Sequence, residues 1–278
     1  MSVFKNIKRN IRKLYKKDQR KGKSTLDVIS SFPLFEAHGE GKYKQVADLT
    51  ILSINQTIPN LALLAKSIST RNIELQPIAS FADNEVKVAQ AEKLKLLLDK
   101  YGSDKARHHY HFLYGPILGN GTASEILEIG LGTNYPDIVS NMGKRGKPGA
   151  SLRAFRDFTD ANIYGADVDK RVLFKEHRIE TFYVDQTDIS SFEELGAHLP
   201  SNLDLVIDDG LHSPNANIAT LIFGMSKIRE GGWVVIEDIG YAALPLWEII
   251  SIIMPPNFKS HLFISHAAIV FAVQKNSK

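Results

Sequence analysis

Short apolar runs follow one another through the second half of the chain, and each ends at a glycine or an acidic residue. Between them lie stretches in which apolar positions recur with helical spacing. Continuous apolar runs that alternate with helices are typical of parallel strands buried on both faces of a sheet. The pattern therefore predicts an α/β fold with a mostly parallel sheet flanked by helices. The predicted strands are Ile126–Ile129, Ile163–Val168, Thr181–Val184, Leu203–Ile207 and Trp233–Ile236.

The N-terminal part of the chain has a helical pattern instead. Apolar positions predict helices near 44–54, 58–69 and 84–100, and glycine, serine and proline between 22 and 42 predict a loop or linker. We therefore divide the chain into a basic amphipathic helix at 1–23, a helical region at 24–98 and a ligand-binding domain at 99–278. The helical region is expected to serve oligomer or acceptor contacts.

The charge of the chain is concentrated at its start. Residues 1–23 contain ten lysines or arginines and one acidic residue, while the net charge of the whole chain is only +3. A helix with one apolar face and a cationic remainder can lie on an anionic membrane surface, or it can pack on its own domain or on a second subunit. Both alternatives stay open. Nucleic acid is not expected as a partner, because the interleaving of aromatic with basic residues that is typical of single-strand binding is missing here.

The composition excludes several kinds of site. The 278 residues include no cysteine, which excludes disulfides, thiolate metal sites and cysteine nucleophiles. A metal ion would have to bind carboxylate, imidazole or carbonyl groups. No apolar run reaches the roughly 18 residues of a membrane span, and no signal-peptide core is visible. We therefore expect a cytoplasmic protein, with contact at the inner face of the membrane as the alternative for its basic helix.

Glycines and acids follow all five predicted strands. Ligands of parallel sheets bind beyond the carboxyl ends of the strands. Because neighbouring carboxylates repel one another, a cation or a polyhydroxyl ligand is expected at this edge. The strand-end segments are Glu128-Ile129-Gly130-Leu131-Gly132-Thr133-Asn134, Asp167-Val168-Asp169, Asp185-Gln186, Asp208-Asp209-Gly210-Leu211-His212 and Glu237-Asp238.

These motifs, in this order, resemble those of class I S-adenosylmethionine-dependent methyltransferases. More narrowly, residues 99–240 resemble the metal-dependent sugar O-methyltransferases that tailor macrolides such as mycinamicin and tylosin. The segment Asp104-Lys105…His109-Tyr110…Tyr114 is similar to the lead-in of that family. The resemblance implies a Rossmann-like fold with a seven-stranded sheet. It also implies an enzyme that uses S-adenosylmethionine and Mg²⁺ to methylate a sugar hydroxyl of a glycan or glycosylated metabolite.

The resemblance further implies roles for individual residues. Mg²⁺ would be held by Asp209, Glu237 and Asp238, and His212 would be the base, with Asp209 also part of the catalytic machinery. Carboxylate oxygens suit Mg²⁺, and a neutral imidazole can accept a proton near pH 7. Leu211 stands where the family has serine. The cofactor contacts implied are Glu128, Gly130, Gly132, Thr133, Asn134, Asp167, Asp185, Gln186, Asp208 and Tyr110.

Alternatives remain at both the residue and the protein level. Asp208 could brace its loop, and His212 could cap the helix expected after Ser213-Pro214. The long segment Tyr135–Ser151, with Lys144, Arg145 and Lys147, could be a recognition element or a solvated loop. For the whole protein, a metal-free methyltransferase acting on a small molecule or a nitrogen, and a non-catalytic scaffold of a glycan-assembly complex, stay open beside the sugar O-methyltransferase.

Overall fold

The computed structural model describes residues 43–277, which form two compact units. The smaller unit combines the described residues up to Asn72 with Pro245–Ile252. The larger unit combines Ile73–Leu244 with Ile253–Lys278. The predicted basic helix at 1–23 and the linker after it lie outside the described residues, so membrane contact through this helix stays a prediction.

The smaller unit is built around one long helix, α1 (Tyr43–Ile68), where the sequence predicted two. The polar run Asn55-Gln56-Thr57 interrupts the apolar pattern, but polar residues do not end a helix, and Pro59 lies inside it. Lys66 Nζ is 2.6 Å from Glu248 Oε1, which links the end of α1 to Pro245–Ile252. Among the described residues, no helix is both long enough and apolar enough to cross a bilayer.

The larger unit contains one sheet, in which the described residues form nine strands. All strands run parallel except β4 and β9. The order β5-β3-β2-β6-β7-β9-β8 forms the seven predicted central strands, and the short β4 and β1 extend its two edges. The strands are β1 (Leu75–Pro77), β2 (Glu125–Ile129), β3 (Asn162–Asp167), β4 (Lys175–Glu176), β5 (Ile179–Tyr183), β6 (Leu203–Asp208), β7 (Ile228–Ile239), β8 (Phe258–Ile264) and β9 (Ile269–Lys275).

Helices cover both faces of this sheet. On one face, α2 (Glu85–Tyr101), α3 (His111–Leu118) and α4 (Ala150–Phe158) share a hydrophobic core with the central strands. On the other face lie α5 (Ile189–His198) and α6 (Pro214–Lys227), while α7 (Leu244–Ile253) belongs mostly to the smaller unit. Helix α2 matches the predicted helix at 84–100. It buries Leu94 and Leu98 in the core of the sheet, so residues 73–98 belong to the larger unit by their contacts.

The candidate site lies at the centre of the sheet. Strand β2 is followed in the chain by β3 on one side, whereas its other neighbour, β6, is followed by β7 on the opposite side. Such a reversal opens a crevice at the carboxyl ends of the central strands. The pairs Ile129–Asp208 and Asp208–Ile236 set the ends of β2 and β6 level with Ile236 of β7. The motifs that follow Ile129, Asp208 and Ile236 therefore meet at one edge.

Candidate functional site

A cleft of about 660 Å³ opens at the carboxyl ends of the strands. This volume is in the usual range for sites that bind small molecules and cofactors. The cleft brings together eight of the predicted site residues, which come from the carboxyl-terminal regions of five strands. They are Gly130, Gly132, Asp167, Asp185, Gln186, Asp209, His212 and Asp238.

The turn after β2 is shaped for close approach of a ligand to the backbone. Gly130 has φ +99°, and a Cβ at this position would lie 2.0 Å from the carbonyl oxygen of Asp209. Gly132 has φ +77°, and a Cβ there would meet the Met142 side chain. Only glycine adopts these conformations without strain. A tight glycine turn beside a carboxylate is the arrangement that lets a nucleoside cofactor approach the backbone closely.

Asp167 is the carboxylate beside this turn. Its Oδ2 accepts a hydrogen bond from the Leu131 amide at 2.8 Å, and its Oδ1 accepts one from the Asp169 amide at 2.8 Å. Burial raises the pKa of Asp167, and these backbone amides oppose the rise. The Gly132 amide also opposes the rise, so three backbone amides bond the carboxylate, and it can accept from one further hydroxyl donor. Asp167 therefore has both the position and the acceptor capacity to bind a ribose.

Six predicted residues do not line the cleft but support it. Thr133 Oγ1 donates to Asp169 Oδ2 at 2.6 Å, and Asn134 Nδ2 donates to the carbonyl oxygens of Gly143 and Gly146. Direct contact of these side chains with the cofactor is thus not favoured by their bonding. The six are Glu128, Thr133, Asn134, Asp208, Tyr110 and Glu237.

The contacts of Asp208 favour the alternative in which this residue braces its loop. Its carboxylate is fully buried, and it accepts hydrogen bonds from Gln186 Nε2 at 2.8 Å and Asn217 Nδ2 at 3.1 Å. Successive residues of a strand point to opposite faces, so Asp208 and Asp209 diverge. Asp208 turns toward helix α6, and Asp209 turns toward the cleft. The neighbouring Gln186 lines the cleft while its Oε1 accepts from the Leu211 amide at 2.8 Å.

Asp209, His212 and Asp238 converge in the cleft. Each offers one ligand atom, and these atoms all lie within 4.8 Å of one another. His212 Nε2 is 3.9 Å from Asp209 Oδ1 and 3.9 Å from Asp238 Oδ2. These separations exceed a hydrogen bond, and carboxylate oxygens are the ligands that suit a hard divalent cation. Asp209 and Asp238 therefore fit a metal ion, with the His212 imidazole beside it.

Backbone strain directs two of these side chains. His212 has φ +56° and Asp238 has φ +53°, a conformation that non-glycine residues rarely adopt. At Asp238 the register between β7 and β9 shifts between Ile236 and Ile239, so that β7 carries one extra residue. Such a bulge re-aims a side chain. Helix α6 begins at Pro214 without a side-chain cap, so His212 does not serve as its cap.

Glu237, the third predicted metal ligand, lies behind this group. It is 1% exposed, and its two oxygens accept hydrogen bonds from Lys105 Nζ and the Tyr114 hydroxyl. Burial raises the pKa of Glu237 well above its usual range, and Lys105 opposes that rise. A direct contact of Glu237 with a metal ion stays a prediction, while Asp209 and Asp238 each keep one oxygen toward His212.

Lys105 is the functional residue to which sequence reasoning assigned no role. Its side chain is 2% exposed, and Nζ lies 2.6 Å from Asp209 Oδ2 and 3.1 Å from Glu128 Oε1, in addition to its bond to Glu237. Burial disfavours the ammonium, but the three carboxylates together raise the pKa of Lys105 well above its usual value. Burial raises the pKa of Asp209 to about 6, with Lys105 opposing the rise. The lead-in motif contained this lysine, but a single lysine in a sequence is far more often exposed.

The long segment after the glycine turn forms one wall of the cleft. Its residues Asp137–Met142 and Arg145–Lys147 line the cleft, and Lys144 does not. The Ser140 hydroxyl donates to the carbonyl oxygen of Gly210 at 2.9 Å, and the Met142 amide donates to that of Thr133 at 2.8 Å. The segment is therefore tied to both the first and the fourth strand-end motifs. Its predicted recognition role is compatible with this position.

Comparison with known proteins places these features among methyltransferases. No family model matches the chain. Over 156 residues it is 30% identical to the 8-demethyl-8-alpha-L-rhamnosyl tetracenomycin-C 2'-O-methyltransferase of Streptomyces olivaceus, covering 54% of this chain and 38% of that protein. Over 123 residues it is 35% identical to the demethylmacrocin O-methyltransferase of Streptomyces fradiae, covering 43% of this chain and 28% of that protein. The matches thus span about a third of the length of these relatives.

A solved structure supports the fold. The MycE methyltransferase from the mycinamycin biosynthetic pathway, in complex with Mg, SAH and mycinamycin VI, superposes with a TM-score of 0.53 at 24% identity. The match covers 66% of this chain and 53% of that one. At this identity the likeness concerns the fold. The predicted resemblance is confirmed: the chain has the class I methyltransferase fold, and its sequence is similar to those of sugar O-methyltransferases.

Proposed function

We propose that this protein is an S-adenosylmethionine-dependent O-methyltransferase that methylates a sugar hydroxyl of a small glycosylated molecule. The observation that carries the proposal is the convergence of Asp209, His212 and Asp238 in the same cleft as the Gly130–Gly132 turn. A methyl donor at the turn and a hydroxyl beside His212 would meet within one cavity. The similarity to sugar O-methyltransferases supports the choice of acceptor.

Different residues of the cleft bind the donor, the metal ion and the acceptor proton. The glycine turn and Asp167 bind the donor, which supplies an electrophilic methyl group on sulfur. Asp185 and Gln186 border the end of the donor that lies away from this methyl group. Asp209 and Asp238 would hold Mg²⁺, which lowers the pKa of a hydroxyl that coordinates it. His212 Nε2 accepts the proton of the acceptor hydroxyl. The protein holds both reactants in line, which is a large part of the rate enhancement of a two-substrate reaction.

Isothermal titration with SAH in the presence and absence of Mg²⁺ tests the proposal. We expect micromolar SAH affinity for the wild type and Mg²⁺ binding that Asp209→Asn removes. Radiolabelled methyl transfer to a panel of rhamnosides and other small glycosides then tests the acceptor class. Protein without SAH affinity would contradict the methyltransferase assignment and favour the scaffold alternative.

The metal-free alternative has one observation in its favour. Lys105 already supplies a positive charge to Asp209 and Glu237, so the acids are partly neutralised without an added ion. A metal-free enzyme would keep its full rate after treatment with a chelator. We expect instead that a chelator abolishes methyl transfer and that added Mg²⁺ restores it. Oligomer formation and membrane contact through residues 1–23 stay predictions.

A further inference from the structure

Three side chains from one short segment hold the carboxylates of the candidate metal site from behind. They are Lys105, Tyr110 and Tyr114, which lie between the end of α2 and the middle of α3. We propose that these three are positioning residues, which orient Asp209 and Asp238 so that one oxygen of each faces His212. This inference rests on the proposed metal-dependent function, and it concerns how the chain prepares the site before an ion arrives.

The two carboxylates of the cleft are held in the same way. Asp209 Oδ2 accepts a hydrogen bond from Lys105 Nζ at 2.6 Å, which leaves Oδ1 on the side of His212. Asp238 Oδ1 accepts a hydrogen bond from the Tyr110 hydroxyl at 2.5 Å, which leaves Oδ2 on the side of His212. In each carboxylate one oxygen is fixed, and the other is presented to the cleft. Free rotation of either group would lose this arrangement.

Glu237 joins two of the three positioning residues, Lys105 and Tyr114. It accepts from Lys105 with one oxygen and from Tyr114 with the other, and it is buried. Glu128 Oε1, also buried, has no hydrogen-bond partner but lies 3.1 Å from Lys105 Nζ. The ammonium thus faces carboxylates from β2, β6 and β7. Four acids and one lysine leave a net negative charge, which favours a divalent cation on the open side.

The segment that carries the three side chains has a defined backbone. The Ser103 hydroxyl accepts from the Lys105 amide at 3.4 Å, and the Tyr110 amide donates to the carbonyl oxygen of Lys105 at 3.0 Å. His109, between them, has φ +66°. Tyr110 and Tyr114 are each at most 1% exposed. Because the backbone is fixed and the two tyrosine rings are buried, these side chains restrict the rotation of the carboxylates that they contact. Residues that hydrogen-bond to metal ligands commonly have this effect.

The chain offers a matched control for the tyrosine contact. The Tyr101 hydroxyl donates to Asp157 Oδ2 at 2.5 Å, the same length as the bond from Tyr110 to Asp238. Tyr101 and Asp157 do not line the cleft. Tyr110→Phe and Tyr101→Phe therefore each remove one hydroxyl and one short bond to a carboxylate, but only the first removes a bond to a cleft carboxylate.

The experiment titrates Mn²⁺ into full-length protein and follows the ion by electron paramagnetic resonance, with thermal unfolding as the measure of folding. We expect Tyr110→Phe to weaken Mn²⁺ binding about 10- to 100-fold and to change the spectrum of the bound ion. Tyr114→Phe, which reaches only Glu237, should weaken it less. Tyr101→Phe should match the wild type within about threefold, a margin that assumes independence of distant sites.

The outcomes separate this inference from the proposed function. Wild-type protein that binds Mn²⁺, with Tyr110→Phe indistinguishable from Tyr101→Phe, would overturn the positioning role and leave the metal-dependent function standing. Wild-type protein that binds no Mn²⁺, with or without SAH, would overturn both. The predicted order of affinities, with an altered spectrum only in Tyr110→Phe and Tyr114→Phe, would support the inference, because loss of stability alone does not change the spectrum of a bound ion.

Discussion

At the scale of single residues, two glycines that both have a positive φ have very different surroundings. Gly130 has φ +99° and Gly121 has φ +72°. A Cβ on Gly130 would lie 2.0 Å from the carbonyl oxygen of Asp209, whereas a Cβ on Gly121 would have nothing within 4 Å. Alanine at either position must adopt the left-handed conformation, which costs about 1–2 kcal/mol. Only at Gly130 does a steric collision add to that cost.

We therefore expect Gly130→Ala to lower SAH affinity more than tenfold, because the strand-end turn must shift away from its ligand-binding conformation. Gly121→Ala should leave SAH affinity unchanged and lower the free energy of unfolding by only about 1 kcal/mol. Isothermal titration and urea unfolding measure the two quantities. Equal SAH affinity in both variants would contradict the role of the turn.

His212 is expected to act in the chemical step rather than in donor binding. His212→Ala should lower kcat by about 10²- to 10⁴-fold, the usual contribution of a general base, while SAH affinity changes less than about threefold. His177→Ala, at an exposed position, is the control. Steady-state kinetics with a responsive glycoside checks this. A rate near that of the wild type would show that another group accepts the proton.

The residues of the candidate site could be predicted from the sequence only in part. Acids and glycines after apolar runs identified the edge of the sheet, and eight of the predicted residues line the cleft. The sequence could not tell which acid of a pair faces the cleft. That choice depends on strand alternation at Asp208 and Asp209 and on the bulge at Asp238. Nor could it reveal that Lys105 is buried, since burial of an ammonium depends on three carboxylates that are distant in the chain.

At the scale of elements, one side chain makes two of the hydrogen bonds that hold the long segment after β2. Asn134 Nδ2 donates to the carbonyl oxygens of Gly143 and Gly146 at 2.6 and 3.0 Å. The segment carries Lys144 and Arg145, which are sites for trypsin, whereas Lys147 precedes Pro148 and is not cleaved. Asn134→Ala should increase the rate of cleavage at these two positions, because local opening becomes easier. SAH should slow the cleavage by binding against the segment.

Mass spectrometry of timed digests measures this effect. Asn120→Ala is the control, since Asn120 accepts local hydrogen bonds from Thr122 outside the cleft. Identical digestion of the two variants would show that Asn134 does not hold the segment.

Elements with strong apolar patterns were predictable, and elements defined by their partners were not. The five predicted strands all exist, with bounds shifted by a few residues. Strands β1 and β4 have three and two residues, too few for a periodic pattern, and they exist because β8 and β5 offer free edges. Helix α1 is continuous because Asn55-Gln56-Thr57 weakens its apolar face without breaking its backbone hydrogen bonds.

At the scale of the whole molecule, a buried histidine links folding to pH. His111 is 2% exposed, and burial, together with the charge of His109, lowers its pKa to about 4. Between pH 6.5 and 4 the unfolded chain binds a proton at this residue that the folded protein does not bind. The stability that His111 contributes is therefore fully present above pH 6.5, and it falls with pH through this window by up to about 3 kcal/mol.

Urea unfolding at pH 7.5 and pH 5 tests the linkage. We expect His111→Asn to reduce the difference in the free energy of unfolding between the two pH values. The exposed His177→Asn should leave that difference as in the wild type. An unchanged pH dependence in His111→Asn would show that His111 does not resist protonation in the folded state.

The position of β9 between β7 and β8 has a consequence for the order in which the sheet is completed. During synthesis β8 leaves the ribosome before β9, yet it pairs only with β9 and β1. It has no place on the growing sheet until β9 has added to β7. Strand β1 is synthesised long before β8 and β9, but it pairs only with β8 and so joins the sheet after β8. Of the nine described strands, the first to be translated is thus the last to join. Nascent chains arrested before Ile269 should carry a completed ligand edge beside an open, unpaired margin at β7.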